Sequence, residues 1–161
     1  MTSRPQPRVF VDMDGVLADF DTGYEMFFGV RPDKATDSVD WRLVRDRPHF
    51  YRDLPPMPDF QELWDGLRHL DPTILTGVPH SVREAEANKR EWVDRHIGPT
   101  ARMIGCRSID KCLHMEHRGD VLIDDWTKYR HVWINQGGHW ITHTSARESL
   151  RLLQEYLQKT P

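Results

Sequence analysis

The chain has 161 residues, 38% of them hydrophobic and 29% charged, with a net charge of −3. That length supports one domain with a core of its own, and the composition is that of a soluble globular protein. The acidic balance offers no field for long nucleic acid, no run nears the roughly 18 to 20 apolar residues of a bilayer span, and two cysteines make no disulfide framework.

The polar start, Met1-Thr-Ser-Arg-Pro-Gln-Pro7, lacks the apolar stretch of a signal peptide, so a cytoplasmic location is expected. Val9-Phe-Val11 reads as a strand buried on both faces, as in a parallel sheet, and it stops at Asp12-Met-Asp-Gly15. Val16 to Phe28 carries apolar residues at helical spacing. Arg31 to Asp37 is loop-like, Ser38 to Arg45 suits a short helix, and Asp53-Leu-Pro-Pro-Met-Pro-Asp59 is a connector. Asp59, with Glu62 three residues on, predicts a helix to about Leu70.

Thr73 to Thr76 is the next strand. Ser81 and Glu84 suggest a capped helix ending near Gly98, followed by a weaker strand at Arg102 to Gly105. Asp120 to Asp124 is a strong strand ending in two carboxylates. His131 to Asn135 reads as a strand and Gly138 to Thr142 as one more. Ser145 caps a last helix with Leu150, Leu153 and Leu157 on one face. Strands alternating with helices predict an α/β fold, a doubly wound, Rossmann-like parallel sheet.

Residues 15 to 75, sixty-one in all, separate Asp14 from Thr76. One strand–helix–strand crossover needs only about 30. The surplus predicts a small helical cap at about residues 20–55, set on a core of about 8–19 and 56–161.

Open parallel sheets bind ligands outside the carboxyl ends of their strands. Asp12 and Asp14, then Thr76, then Lys111, then Asp124 and Asp125 all fall at such ends or just beyond. Phosphoryl transfer needs charge neutralisation and in-line positioning, and carboxylates from separate strands can hold Mg²⁺. Asp12, ionised at neutral pH, needs no base to act as a nucleophile. Asp14, if its pKa is raised by its neighbours, can protonate a leaving alkoxide and then deprotonate water. Thr76 and Lys111 can bind phosphate oxygens, and Gly15 and Gly77 allow close backbone approach. Lys89, Arg90 and Arg107 are alternative cations to Lys111.

Val11-Asp-Met-Asp-Gly-Val-Leu17, Ile74-Leu-Thr-Gly77, Lys111 and Val121-Leu-Ile-Asp-Asp125 together resemble the haloacid dehalogenase superfamily of phosphatases, in that family's order. The resemblance implies Asp12 as nucleophile and Asp14 as acid/base, with its backbone carbonyl on the metal. It also implies Thr76 and Lys111 as the phosphate site, to which Gly77 adds its backbone N–H. Mg²⁺ would be held by Asp12, Asp14 and Asp124, with Asp125 supporting them from behind.

Phe50-Tyr-Arg-Asp-Leu54 with Pro58, and Lys89-Arg-Glu-Trp-Val-Asp-Arg-His-Ile-Gly98, extend the resemblance to the 5'(3')-deoxyribonucleotidases. That similarity implies a nucleoside monophosphate as substrate. Gly77 stands where that family usually has a second hydroxyl, and the insert looks shorter. Phe20, Trp41, Phe50 and Tyr51 are the pocket candidates, although a small cap needs aromatic residues for its own core.

Three other readings use the same residues, one of them a module of this superfamily that binds a ligand or partner without turnover, against which the intact acidic set argues. A phosphatase for another small metabolite, or for a nucleic-acid end, would share the chemistry. A receiver domain, phosphorylated on Asp as a signal, would place its acidic pair first, whereas here the pair comes last.

Overall fold

The computed structural model describes residues 6–33, 36 and 38–160. Three residues of the loop-like stretch 31–37, and the first five of the chain, therefore lie outside the described residues. Five strands form one parallel sheet: β1 (Val9–Val11), β2 (Thr73–Gly77), β3 (Arg102–Cys106), β4 (Val121–Asp124) and β5 (His139–Thr142), in the spatial order β3-β2-β1-β4-β5. Among the described residues six α-helices accompany them: α1 (Phe20–Phe28), α2 (Trp41–Asp46), α3 (Phe60–Leu67), α4 (Ala85–His96), α5 (Arg130–Asn135) and α6 (Ala146–Lys159). The fold is the expected doubly wound α/β sheet.

Side-chain alternation along the strands divides the core into two layers. Val9, Val11, Ile74, Val121 and Ile123 face one layer, with Leu63, Leu67, Trp92 and Leu153 from α3, α4 and α6. Phe10, Leu75 and Leu122 face the other, with Trp133 of α5 and Trp140. Val9-Phe-Val11 is buried throughout because both of its faces are covered.

The chain winds outward from β1 through β2 to β3, then returns to place β4 on the other side of β1. The direction of winding reverses between β1 and β4. A crevice opens at such a point, beyond the strands' carboxyl ends. Asp12 directly follows β1 and Asp124 ends β4, so both stand at that reversal.

Several expectations are corrected. His131 to Asn135 is not a strand: Arg130–Asn135 forms α5, with Trp133 buried and Ile134 44% exposed. A short apolar run fits either structure, and parallel β4 and β5 need a returning crossover between them. The helix expected from Val16 begins only at Phe20, where the Asp19 side chain accepts from Thr22 N at 3.0 Å. Residues 13 to 18 form a buried turn instead, with Leu17 N and Ala18 N both donating to Met13 O.

Ser81 caps nothing, since α4 starts at Ala85 with Glu84 at its N-cap. Asp59 precedes α3 but its carboxylate serves another helix, accepting from Ala146 N at the start of α6 at 2.6 Å. Ser145 caps α6 as expected, accepting from Glu148 N at 3.2 Å.

Candidate active site

Four chain segments converge beyond the carboxyl ends of β1, β2, β3 and β4. Lys111, in the 3₁₀ turn Ser108–His114 after β3, donates to Asp12 Oδ1 at 2.7 Å and to Asp124 Oδ2 at 2.8 Å. One ammonium thus ties the end of β1 to the end of β4. Burial opposes its charge, but Asp12 and Asp124 more than offset that and hold it above the usual lysine range. Asp124 itself is pushed up to about 7 by burial and by the charge of Asp12, with Lys111 pulling the other way.

Asp12, Asp124 and Asp125 each offer a carboxylate oxygen within 4.8 Å of the others. These are hard oxygen donors, the type a magnesium ion takes. Crowded like charges at a buried site also favour a cation among them. The turn after β1 leaves room for this grouping. Gly15 has φ of 81°, and a Cβ there would fall 2.2 Å from Asp125 Oδ2.

Thr76 is fully buried at the end of β2, and Gly77 follows it. Both meet one of the cations that the sequence offers as alternatives to Lys111. Lys89 of α4 is fully buried and donates to Asp14 Oδ2 at 2.8 Å, Thr76 Oγ1 at 2.9 Å and Gly77 O at 2.6 Å. Because Thr76 Oγ1 accepts from Lys89, its own proton is free to be donated elsewhere. Asp14 is pushed above the usual carboxylate range by burial, with Lys89 lowering it and Asp12 adding to the rise. Its Oδ1 is buried without a hydrogen-bond partner among the described residues. Two lysines therefore divide the site: Lys111 serves Asp12 and Asp124, and Lys89 serves Asp14 and Thr76.

Above this floor lies a cavity of about 400 Å³, whose lining includes Asp12, Asp14, Lys111 and Asp124. Phe20, Trp41 and Tyr51 form an aromatic wall, and Trp126, 51% exposed, lies at another part of the lining. Phe50 is corrected from pocket candidate to support: it is buried, packs edge-on against Phe20 at 5.4 Å between ring centroids, and does not line the cavity. Tyr24, Phe27 and Phe28 likewise make the core of this segment.

The fold is that of haloacid dehalogenase-type hydrolases. The fold is shared with a haloacid dehalogenase superfamily hydrolase from Ehrlichia chaffeensis (16% identity, 97% of this chain and 98% of that one, TM-score 0.53). It is shared also with a phosphonoacetaldehyde hydrolase-like protein from Oleispira antarctica (12% identity, 98% and 84%, TM-score 0.55). No family model matches the chain.

Among curated proteins, the cytosolic 5'(3')-deoxyribonucleotidase of Homo sapiens is 32% identical over 148 residues, covering 73% of this chain and 70% of that one. A Bordetella pertussis protein provisionally given the same name is 32% identical over 140 residues, covering 73% of each chain. A protein of Vibrio phage KVP40, similarly named, is 30% identical over 124 residues, covering 76% and 68%. The chain belongs to the 5'(3')-deoxyribonucleotidase family. It is accordingly a phosphatase.

Proposed function

We propose that the protein is a Mg²⁺-dependent phosphomonoester hydrolase that works through an aspartyl-phosphate on Asp12 and acts on nucleoside monophosphates. The observation that carries this reading is the junction of Asp12, Asp124, Asp125 and Lys111 at the floor of an aromatic-walled cavity.

Asp12, Asp124 and the backbone carbonyl of Asp14 would hold the metal, with Asp125 braced behind them against Gly15. When bound, Mg²⁺ supplies charge neutralisation on the phosphate oxygens. The chain's own residues do the rest. Lys111 occupies Asp12 Oδ1, which leaves Oδ2 to attack phosphorus as the ester P–O bond breaks. Asp14, its pKa raised, delivers a proton to the departing alkoxide oxygen. In the second half Asp14 takes a proton from water, whose oxygen attacks phosphorus and releases Asp12 and inorganic phosphate. The Thr76 hydroxyl and the Lys111 ammonium hold non-bridging oxygens throughout.

Residues 20–55 act as the cap, over a core of 8–19 and 56–161. Phe20, Trp41 and Tyr51 offer ring faces to a nucleobase, each good contact contributing about 0.5–1.5 kcal/mol. A cavity of about 400 Å³ falls in the range that encloses a small organic ligand. No helix among the described residues is long and apolar enough to cross a membrane. We place the activity in the cytoplasm.

The purified protein is expected to hydrolyse an aryl phosphate with Mg²⁺ and to lose about a thousandfold of that rate in EDTA, recovering on re-addition. A panel of 5'- and 3'-nucleoside monophosphates, sugar phosphates and phosphoserine decides the substrate class. The best nucleotide should exceed the aryl phosphate in kcat/KM, and a panel in which none does so removes the nucleotide from this reading. Gly15→Ala is expected to displace Asp125 and raise the Mg²⁺ concentration for half-maximal rate about tenfold. An unchanged Mg²⁺ titration would show that Asp125 has no part in holding the metal.

A further inference from the structure

The last paired residues of β2 and β3 are Gly77 and Cys106, so the chain leaving β3 passes directly beside Gly77. The space where Gly77 lacks a side chain is filled. A Cβ at that position would come within 2.4 Å of Ser108 Oγ and 3.6 Å of Ser108 Cβ. Ser108 lines the cavity together with Asp12, Asp14, Gly77 and Lys111.

Two further features aim this hydroxyl at the reacting centre. Ser108 opens the 3₁₀ turn Ser108–His114, in which residues three apart eclipse one another, so Ser108 and Lys111 project from the same side. Lys111 already reaches Asp12 Oδ1 at 2.7 Å. The ordinary task of a serine at a helix start is to cap it, but Arg107 holds the N-cap position and no side-chain cap bond is made. Ser108 is half-buried. Among the described residues its hydroxyl has no hydrogen-bond partner, and it shares the cavity lining with Asp12 and Lys111.

We propose that Ser108 is a phosphate-binding residue of this site. Its Oγ–H donates to a non-bridging oxygen of the phosphoryl group at Asp12, on the side where Gly77 offers only backbone. The inference rests on the reading of Asp12 as the phosphoryl acceptor. A charge-assisted hydrogen bond of this kind is worth roughly tenfold to a hundredfold in kcat/KM.

The test uses the full chain with Mg²⁺, its best phosphomonoester substrate, and inorganic phosphate as competitive inhibitor. Ser108→Ala is expected to lose roughly tenfold to a hundredfold in kcat/KM, to weaken inhibition by phosphate in parallel, and to melt close to wild type. Ser108→Thr keeps most of the activity. Ser108→Gly repeats the loss, and adding Gly77→Ser restores most of it, because the new side chain enters the space that Ser108 has vacated.

An Ser108→Ala enzyme with wild-type kcat/KM and phosphate inhibition, in a protein that Asp12→Asn inactivates, overturns the proposal and leaves the Asp12 reading standing. So does a loss of kcat/KM with phosphate inhibition unchanged, or a double variant no better than Ser108→Gly. A wild-type chain that hydrolyses no phosphomonoester overturns the Asp12 reading, and this proposal with it.

Discussion

Asp12→Asn should fold and should lose at least about 10⁴-fold in kcat, as enzymes do when their nucleophile is removed. The amide keeps the shape of the side chain but cannot supply an anionic oxygen to phosphorus. The variant should not pay for this in stability. Asp12 shares its surroundings with Asp124 and Asp125, whose oxygens lie within 4.8 Å of its own, and Asp124 still pairs with Lys111 at 2.8 Å once Asp12 is neutral. Asp12→Asn relieves the repulsion among these carboxylates but gives up the charge in the buried 2.7 Å pair with Lys111, so in EDTA the variant should melt close to the wild-type temperature. Thermal melts beside single-turnover assays check both halves. A variant that is inactive because it is unfolded would leave the chemistry unsupported.

Lys89→Met is the second large effect, and it runs the other way in stability. Lys89 is wholly buried, and its ammonium is shared by Asp14, Thr76 and Gly77. Methionine matches its length and leaves those three acceptors without their donor. Breaking a buried pair in this manner costs about 3–5 kcal/mol, trimmed to about 2–3 here because Asp14 can protonate and regain water. The side chain of Asp14 is 26% exposed, which permits that recovery.

Activity should fall about a hundredfold or more, because Asp14 and the Thr76 hydroxyl both lose the group that aims them. Lys89→Arg should not rescue it. A planar guanidinium cannot reproduce the three bonds that a compact, fully buried ammonium makes to Asp14, Thr76 and Gly77. Urea melts and kcat/KM for the three proteins check this. A stable, active Lys89→Met would mean that Lys89 only fills space.

What the sequence revealed and what it hid follow from where each residue sits. Asp12, Thr76 and Asp124 are legible because each closes an apolar run that reads as a buried strand, and Asp14 follows Asp12 by two residues. Polar residues at such a boundary have few structural tasks. Lys89 was hidden by its position in the middle of α4, among Glu86, Arg90, Glu91 and Asp94, where a charge run reads as a solvated face. Only the three-dimensional path of α4 past the end of β2 turns that lysine inward.

Ser108 was hidden for a related reason. The strand before it has no fully buried residue, and the distance from Gly77 along the chain gives no hint of their contact. At His131 to Asn135, three consecutive apolar residues suit a strand and a short helix equally. The requirement for a crossover between parallel strands decides, and that requirement is visible only once β5 is paired with β4. The aromatic segment is legible in outline, since most of its rings support one another. Which rings face the cavity depends on packing, and Phe50 turned inward where Trp41 did not.

Passage of the phosphoryl group through Asp12 can be observed directly. The enzyme is mixed with its best substrate and Mg²⁺, quenched in acid during turnover, and digested for mass spectrometry. One phosphoryl group is expected on the peptide that contains Asp12, absent from Asp12→Asn and discharged when the quench is delayed. Full turnover with no adduct on that peptide, or an adduct that persists in Asp12→Asn, would contradict it.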